Sequence, residues 1–411
     1  MTETMQTRSE DIPDRTHAVA YADLVRTAEP GDHVLMAAIV HHGVERTRAL
    51  LDVPEGPAVV ALHDACEAVG LEKTTAVLST ALTRWRGRVA ELDGERDLRV
   101  MDRIGAHLVV PGSPGWPGGL DELGLDRPVA LWSRGTPDPA RLLDGSVAVV
   151  GARASTPYGD HVAADLSHGL VRAGRTVASG GAYGIDAAAH RAAASAASGV
   201  GADGAAGPGT VAFMAGGVDR YYPRENAELL DHVARNWAVV SEAPPGGSAH
   251  RHRFLMRNRL IAAVASATVV VQAGWRSGAL NTANRAAELM RPVAAVPGAV
   301  TSAESAGCHR LIREGVAVLV TGPEDVLELV GPLDAARAEP GETQAELRLT
   351  DDMSAQELRV YESLPRRRGT DVDGLARRAG LDVPATMSAL AGLHLRGHAE
   401  KVPSGWVKTI G

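Results

Sequence analysis

The sequence predicts an α/β protein built on a doubly wound parallel sheet, preceded by a helical domain and followed by a small winged-helix domain. Three observations carry this. From residue 146 onward, short apolar, β-branched runs recur: SVAVVG, TVASGG, TVAFMAGG, WAVVSE, TVVVQA, PVAAVPG and VAVLV. Between them lie segments with apolar residues at three-to-four spacing, such as DHVAADLSHGLVRAG, IDAAAHRAAASAA and RFLMRNRLIAAVA. The strands are near-continuously apolar rather than alternating, which is the pattern of a parallel sheet covered on both faces.

The flanking regions differ in texture. Residues 1–16 are polar and mixed in charge, and are expected to be disordered. Residues 17–100 contain helical patterns (YADLVRTA, HVLMAAIVHHGVERTRALL, TAVLSTALTRWRGRVAELD) separated by Pro and Gly. A Pro/Gly-rich connector, VVPGSPGWPGGLDELGLDRPVALWSRG, leads into the α/β domain, set at 105–333. The Gly/Ala stretch 199–209 is expected to be a surface loop and 334–350 a polar linker. In 351–411, three helical stretches and a terminal hairpin fit a winged helix-turn-helix, with 383–395 in the recognition position. Such folds bind DNA and also dock proteins; few base-reading side chains on that helix favour docking.

Composition narrows the function classes. The chain has 411 residues, 45% hydrophobic and 22% charged, so it holds several ordered domains. It has no run long enough for a membrane helix and no secretory leader pattern, which places it in the cytoplasm with no membrane partner. Only Cys66 and Cys308 are present, which excludes a disulfide framework or cysteine-rich metal site. No metal or cofactor is expected. A net charge of −8 means that any affinity for nucleic acid must come from a local cationic surface.

Candidate chemistry gathers at the carboxyl ends of the strands, where open α/β sheets bind ligands. Three Gly-rich loops fall there. Gly151-Ala152-Arg153 opens a helix whose N-terminus offers N–H groups to an anion, and Arg153 adds a bidentate phosphate donor. The same loop reads equally as an ordinary strand-to-helix turn, and it matches neither GxGxxG nor a P-loop. Ser179-Gly180-Gly181-Ala182-Tyr183-Gly184 lets a ligand approach the backbone. Asp186 and His190 follow it on one helical face; this is more often a satisfied core pair than acid–base machinery. Ser277-Gly278 precedes a third helix.

The most informative segment is His250 to Arg259. Between Glu242 and Glu288 there is no acidic residue, while Arg251, Arg253, Arg257, Arg259, Arg276 and Arg285 fall inside. Phe254, one of two phenylalanines in the chain, sits among them. Cations interleaved with an aromatic ring suit single-stranded nucleic acid, because they neutralise phosphates while the ring stacks on a base. The alternative is a solvated arginine face over a core phenylalanine.

The runs GARASTPYG, SGGAYGIDAAAH, AGGVDRYYPREN, SEAPPGG, HRFLMRNRLIAAVA, SGALNTA and AVPG closely resemble, in order and spacing, the DNA-processing protein A (DprA/Smf) family over about residues 115–325. The resemblance implies an extended Rossmann-like domain that binds single-stranded DNA without catalysis, forms a homodimer, and loads the RecA recombinase in transformation or recombination. It also implies a sterile-alpha-motif-like N-terminal domain. By motif, Arg153 would grip a phosphate, and Phe254 with Arg257, Asn258 and Arg259 would line the DNA path. Ser179 to Gly184 and Ser277-Gly278 would border it; Arg253 is included with the same segment, and Arg251, at the edge of its motif, joins on local charge alone. The chain departs from the family pattern at Gln272, Asn281 and His309, and at Tyr183, which loses a lysine charge but could offer a second stacking ring. The competing reading is a Rossmann-like nucleotide phosphoribohydrolase. Its PGGxGTxxE run is absent here, and Glu242 is the one obvious candidate acid.

Overall fold

A computed structural model describes residues 15–136, 138–197, 207–331, 354–365 and 369–409. The N-terminal tail through residue 14, most of the Gly/Ala stretch and the linker lie outside the described residues. The chain divides into two compact units, residues 1–337 and 338–411.

The first unit is organised by a nine-stranded sheet: β1 (Ala106–Val109), β2 (Leu131–Gly135), β3 (Val147–Gly151), β4 (Val177–Gly180), β5 (Thr210–Phe213), β6 (Ala238–Ser241), β7 (Ala267–Gln272), β8 (Val293–Ala295) and β9 (Val318–Leu319). Their spatial order is β1-β2-β6-β5-β4-β3-β7-β8-β9. All pairings from β6 through β9 are parallel, whereas β1 and β2 add antiparallel strands at one edge. The seven apolar runs from the sequence are β3 to β9. The two antiparallel strands flank the Pro/Gly-rich connector, β1 just ahead of it and β2 at its end, and the turn residues around them conceal such short runs.

The pleat sends alternate residues to opposite faces. Ala148 and Val150 pack with Phe213, Leu260, Ile261 and Leu280 in one buried layer. Val147 and Val149 pack with Leu166, Leu170, Ile185 and Ala189 in the other. The sheet is therefore covered on both sides. The strand order changes direction at β3, which has β4 on one side and β7 on the other. Loops leaving β3 and β7 consequently diverge above the sheet and open a crevice between them.

The N-terminal helices Arg15–Thr27, His33–His42, Val44–Ala49, Glu55–Ala68 and Thr75–Arg86 enclose their own core around Leu24, Leu35, Leu62, Leu78 and Trp85, which also receives Val110 and Ala130. The single run 33–51 is broken at Gly43, whose φ of 82° departs from helix geometry. The second unit holds helices Ala355–Ser363, Val372–Ala379 and Val383–Leu395 and an antiparallel hairpin of β10 (Ala399–Val402) and β11 (Gly405–Lys408). Ser354 and Glu357 form a capping box, and Asp371 and Asp382 cap the next two helices.

Asp32 ties the helical domain together. One oxygen caps helix His33–His42 by accepting from the Leu35 N–H at 3.2 Å; the other accepts from Trp85 Nε1 at 2.9 Å and from Arg84 at 2.6 Å. Asp32→Ala should therefore destabilise the protein by ~2 kcal/mol. Urea denaturation followed by circular dichroism checks this; an unchanged midpoint would contradict it.

Candidate nucleic-acid interface

The crevice at the strand-order reversal is a cavity of about 1010 Å³. One wall is the loop after β3, the opposite wall is the loop after β7, and the N-terminal half of helix Arg251–Val264 closes the third side. Of the residues singled out in the sequence, Gly151, Arg153, Arg251, Phe254, Arg257, Asn258, Ser277 and Gly278 line it. Its four arginines, Arg276 being the fourth, face two carboxylates, Asp186 and Glu304.

The rim carries the stacking geometry. The Arg153 guanidinium lies over the Phe254 ring, 4.4 Å from its centroid. Tyr222 stands against the same ring at 5.9 Å with a 56° tilt. Nothing in the local spacing flags Tyr222, because the chain returns to Phe254 only through β6 and its following loop. Arg153 and Arg251 are exposed and, among the described residues, form no ion pair. With Arg276, which is likewise exposed and without an ion pair among the described residues, they are cations free to meet an anion.

The floor is built differently. Arg257 is buried; its Nη1 donates to the Phe213 carbonyl and its Nε to Asn258 Oδ1 at 3.2 Å, while Asn258 Nδ2 donates to the Gly278 carbonyl at 3.2 Å. Gly180 makes room for this, since a Cβ there would lie 2.2 Å from Arg257 Nη1 and 2.5 Å from Asp186 Oδ2. Burial pushes the Asp186 carboxyl up, opposed by the charge of Arg257, and burial also lowers Arg257.

Several expected DNA contacts prove to be structural. Arg259 is buried, with Nη1 and Nη2 both 2.7 Å from Glu242 and Nε donating to the Asp126 carbonyl at 2.7 Å. This also occupies the candidate catalytic acid Glu242. Arg253 is held by Glu29 of the helical domain at 2.8 and 3.0 Å. Arg253 and Arg259 of the acid-free segment are thus neutralised by acids distant in sequence.

The second Gly-rich loop borders the cavity only through Ala182. Ser179 donates to the Val149 carbonyl beneath it, and a Cβ on Gly181 would meet Met214 Sδ at 2.7 Å. Gly184, at φ 71°, passes so close to the β3 loop that a Cβ would lie 2.3 Å from the Ala152 carbonyl oxygen. Tyr183 turns its hydroxyl to Glu225, and donating that hydrogen bond pushes the phenol up to about 12; the ring expected to stack there stands outside the cavity.

The other departures are accounted for individually. Gln272 accepts from the Thr156 N–H at 3.0 Å and donates to its hydroxyl at 2.9 Å, while that hydroxyl caps helix Pro157–Arg172. The helix N-terminus expected to be open to an anion is thus partly satisfied from within. His309 pairs with Gly298, and Asn281 Oδ1 is buried without a hydrogen-bond partner.

His190 is buried, with its ring nitrogens on Thr210 Oγ1 at 2.6 Å and the Gly180 carbonyl at 2.8 Å. Burial lowers it to about 4. It is a neutral core histidine.

Residues 107–331 match the profile of the DNA recombination-mediator protein A family. A Mycobacterium tuberculosis chain bearing the DNA processing protein DprA name is 43% identical over 339 residues, 79% of this chain and 83% of its own length. Protein Smf of Escherichia coli is 32% identical over 323 residues, 76% of this chain and 80% of its own. The X-ray structure of DNA processing protein A from Streptococcus pneumoniae superposes with a TM-score of 0.59 at 28% identity, covering 75% of this chain and 97% of that one.

Two outcomes follow from the geometry. Glu242→Gln leaves Arg259 buried beside a neutral partner and should cost ~3–5 kcal/mol, read as a fall in Tm; an unchanged Tm would remove the pair from its structural role. His190 is depressed from 6.5 to about 4, so its contribution is present above pH 6.5 and is lost as pH falls toward 4. That contribution is about 3 kcal/mol. His190→Gln should flatten the stability–pH curve in that window, and an unaltered slope would refute it.

Proposed function

The chain belongs to the DNA recombination-mediator protein A family, whose members process DNA in recombination, and on that premise we propose that its crevice binds single-stranded DNA without catalysing a reaction. The observation that carries this is the Arg153–Phe254–Tyr222 cluster at the strand-order reversal. It joins an exposed cation to aromatic faces that any base can use, at the edge where α/β sheets receive ligands. Arg251 and Arg276 extend positive charge along the same cavity.

In this reading the protein acts in the cytoplasm as a homodimer, protects single-stranded DNA in transformation or recombination, and loads RecA onto it. Pairing two modest sites in a dimer raises avidity without new contacts. Residues 17–100 form a sterile-alpha-motif-like domain, 105–333 the Rossmann-like DNA-binding domain, and 351–411 a winged helix that docks a partner. Three capped helices followed by a hairpin support the last assignment. The hydrolase alternative finds no support at Glu242, because both carboxylate oxygens are held by Arg259.

Fluorescence anisotropy across a salt series tests the reading. Labelled single strands should bind more tightly than duplex, with affinity falling steeply as salt rises. Arg153→Ala should weaken binding and make the log–log salt slope shallower by about 1. Phe254→Ala should cost ~1–3 kcal/mol across unrelated sequences. Absence of binding at low salt would overturn the proposal.

A further inference from the structure

The opposite wall of the crevice carries an aromatic residue that the DNA reading has not used. Trp275, in the loop after β7, lines the cavity and is 55% exposed. Trp85, Trp116, Trp132 and Trp237 are all buried. Leaving an indole in water forgoes the stabilisation that its large apolar surface would otherwise supply. Arg310 occupies one face of Trp275, with the guanidinium carbon 5.2 Å from the ring centroid.

Arg310 is poorly satisfied otherwise. Its Nε is buried without a hydrogen-bond partner, and its ion pair with Glu314 spans 3.7 Å. The indole is thus backed by a cation and borders a ligand cavity. Arg153 and Phe254 form the same kind of pair at 4.4 Å on the other side of that cavity. Arg276 and Ser277 adjoin Trp275 and supply a cation and a hydroxyl for the backbone of a bound strand.

Resting on the single-strand reading above, we propose that Trp275 is a second base-stacking platform, so that the strand crosses the reversal point between β3 and β7 from the Phe254–Tyr222 face to the Trp275 face. One base stacks at each rim while the sugar–phosphate backbone between them meets Arg153, Arg251 and Arg276. The recognition is tolerant of sequence, because every base has a π-face. Arg310 acts as a positioning residue that holds the indole upright.

The exposure of Trp275 makes the test direct. Unlabelled oligothymidylate titrated into the full-length protein should quench tryptophan emission, because a stacked base perturbs the exposed indole. Trp275→Phe should abolish most of the quenching while anisotropy shows affinity within about threefold of the parent, since a phenyl ring still stacks. Trp275→Ala should weaken binding roughly 5- to 150-fold. If Trp275→Ala proves poorly folded by circular dichroism, the quenching lost in Trp275→Phe still decides the point.

Quenching that persists in Trp275→Phe would overturn the platform, as would Trp275→Ala binding like the parent while Arg153→Ala is weakened. Either result leaves the DNA-binding crevice standing. Failure of the parent protein to bind oligothymidylate at low salt would remove both.

Discussion

The buried pair of Arg259 and Glu242 holds the crevice in shape. Arg259 reaches Glu242 just beyond β6, the Asp126 carbonyl ahead of β2, and the Met256 carbonyl on its own helix. A guanidinium so buried is tolerable only when its charge and donors are met, and a single missing partner leaves a desolvated charge. Its hydrogen bonds therefore lock helix Arg251–Val264 to the sheet edge. Phe254, Arg257 and Asn258 project from that helix, so the position of the rim aromatic and of the floor follows from an interaction outside the crevice.

The arginines along this helix take on different work because its turn points successive residues in different directions. Arg251 is exposed at the cavity, Arg253 meets Glu29, Arg257 forms the floor and Arg259 meets Glu242. The acid-free segment is a true feature of the sequence. Its field is nevertheless moderated, because Glu29 belongs to the helical domain and Glu242 ends another strand. The crevice stays cationic through Arg153, Arg251, Arg257 and Arg276, against Asp186 and Glu304.

The glycines show how one motif serves packing and binding together. Gly180 and Gly184 leave no room for a Cβ, which would run into Arg257 and Asp186 at the first and into the β3 loop at the second. That closeness lets the β3 and β4 loops nest, which leaves the crevice between β3 and β7 as the open one. The loop rich in glycine is thus a support for the site, while the wider loop after β7 forms its wall with Trp275, Arg276 and Ser277.

Local pattern determined much of this molecule. Apolar runs separated by helical spacing encode β3 to β9 because burial on both faces demands continuous hydrophobicity. Arg153, Arg251 and Phe254 were legible because unusual residues gather near a strand end. The antiparallel edge was hidden, since two short runs among prolines and glycines carry little periodic signal. Only the tertiary structure decided which arginines are free, because neutralisation depends on acids far away along the chain. It likewise decided that Tyr222 and Trp275 join the crevice while Tyr183 turns to Glu225. A side chain's partners are set by the packing of distant segments, and the spacing of its neighbours in the sequence does not contain that information.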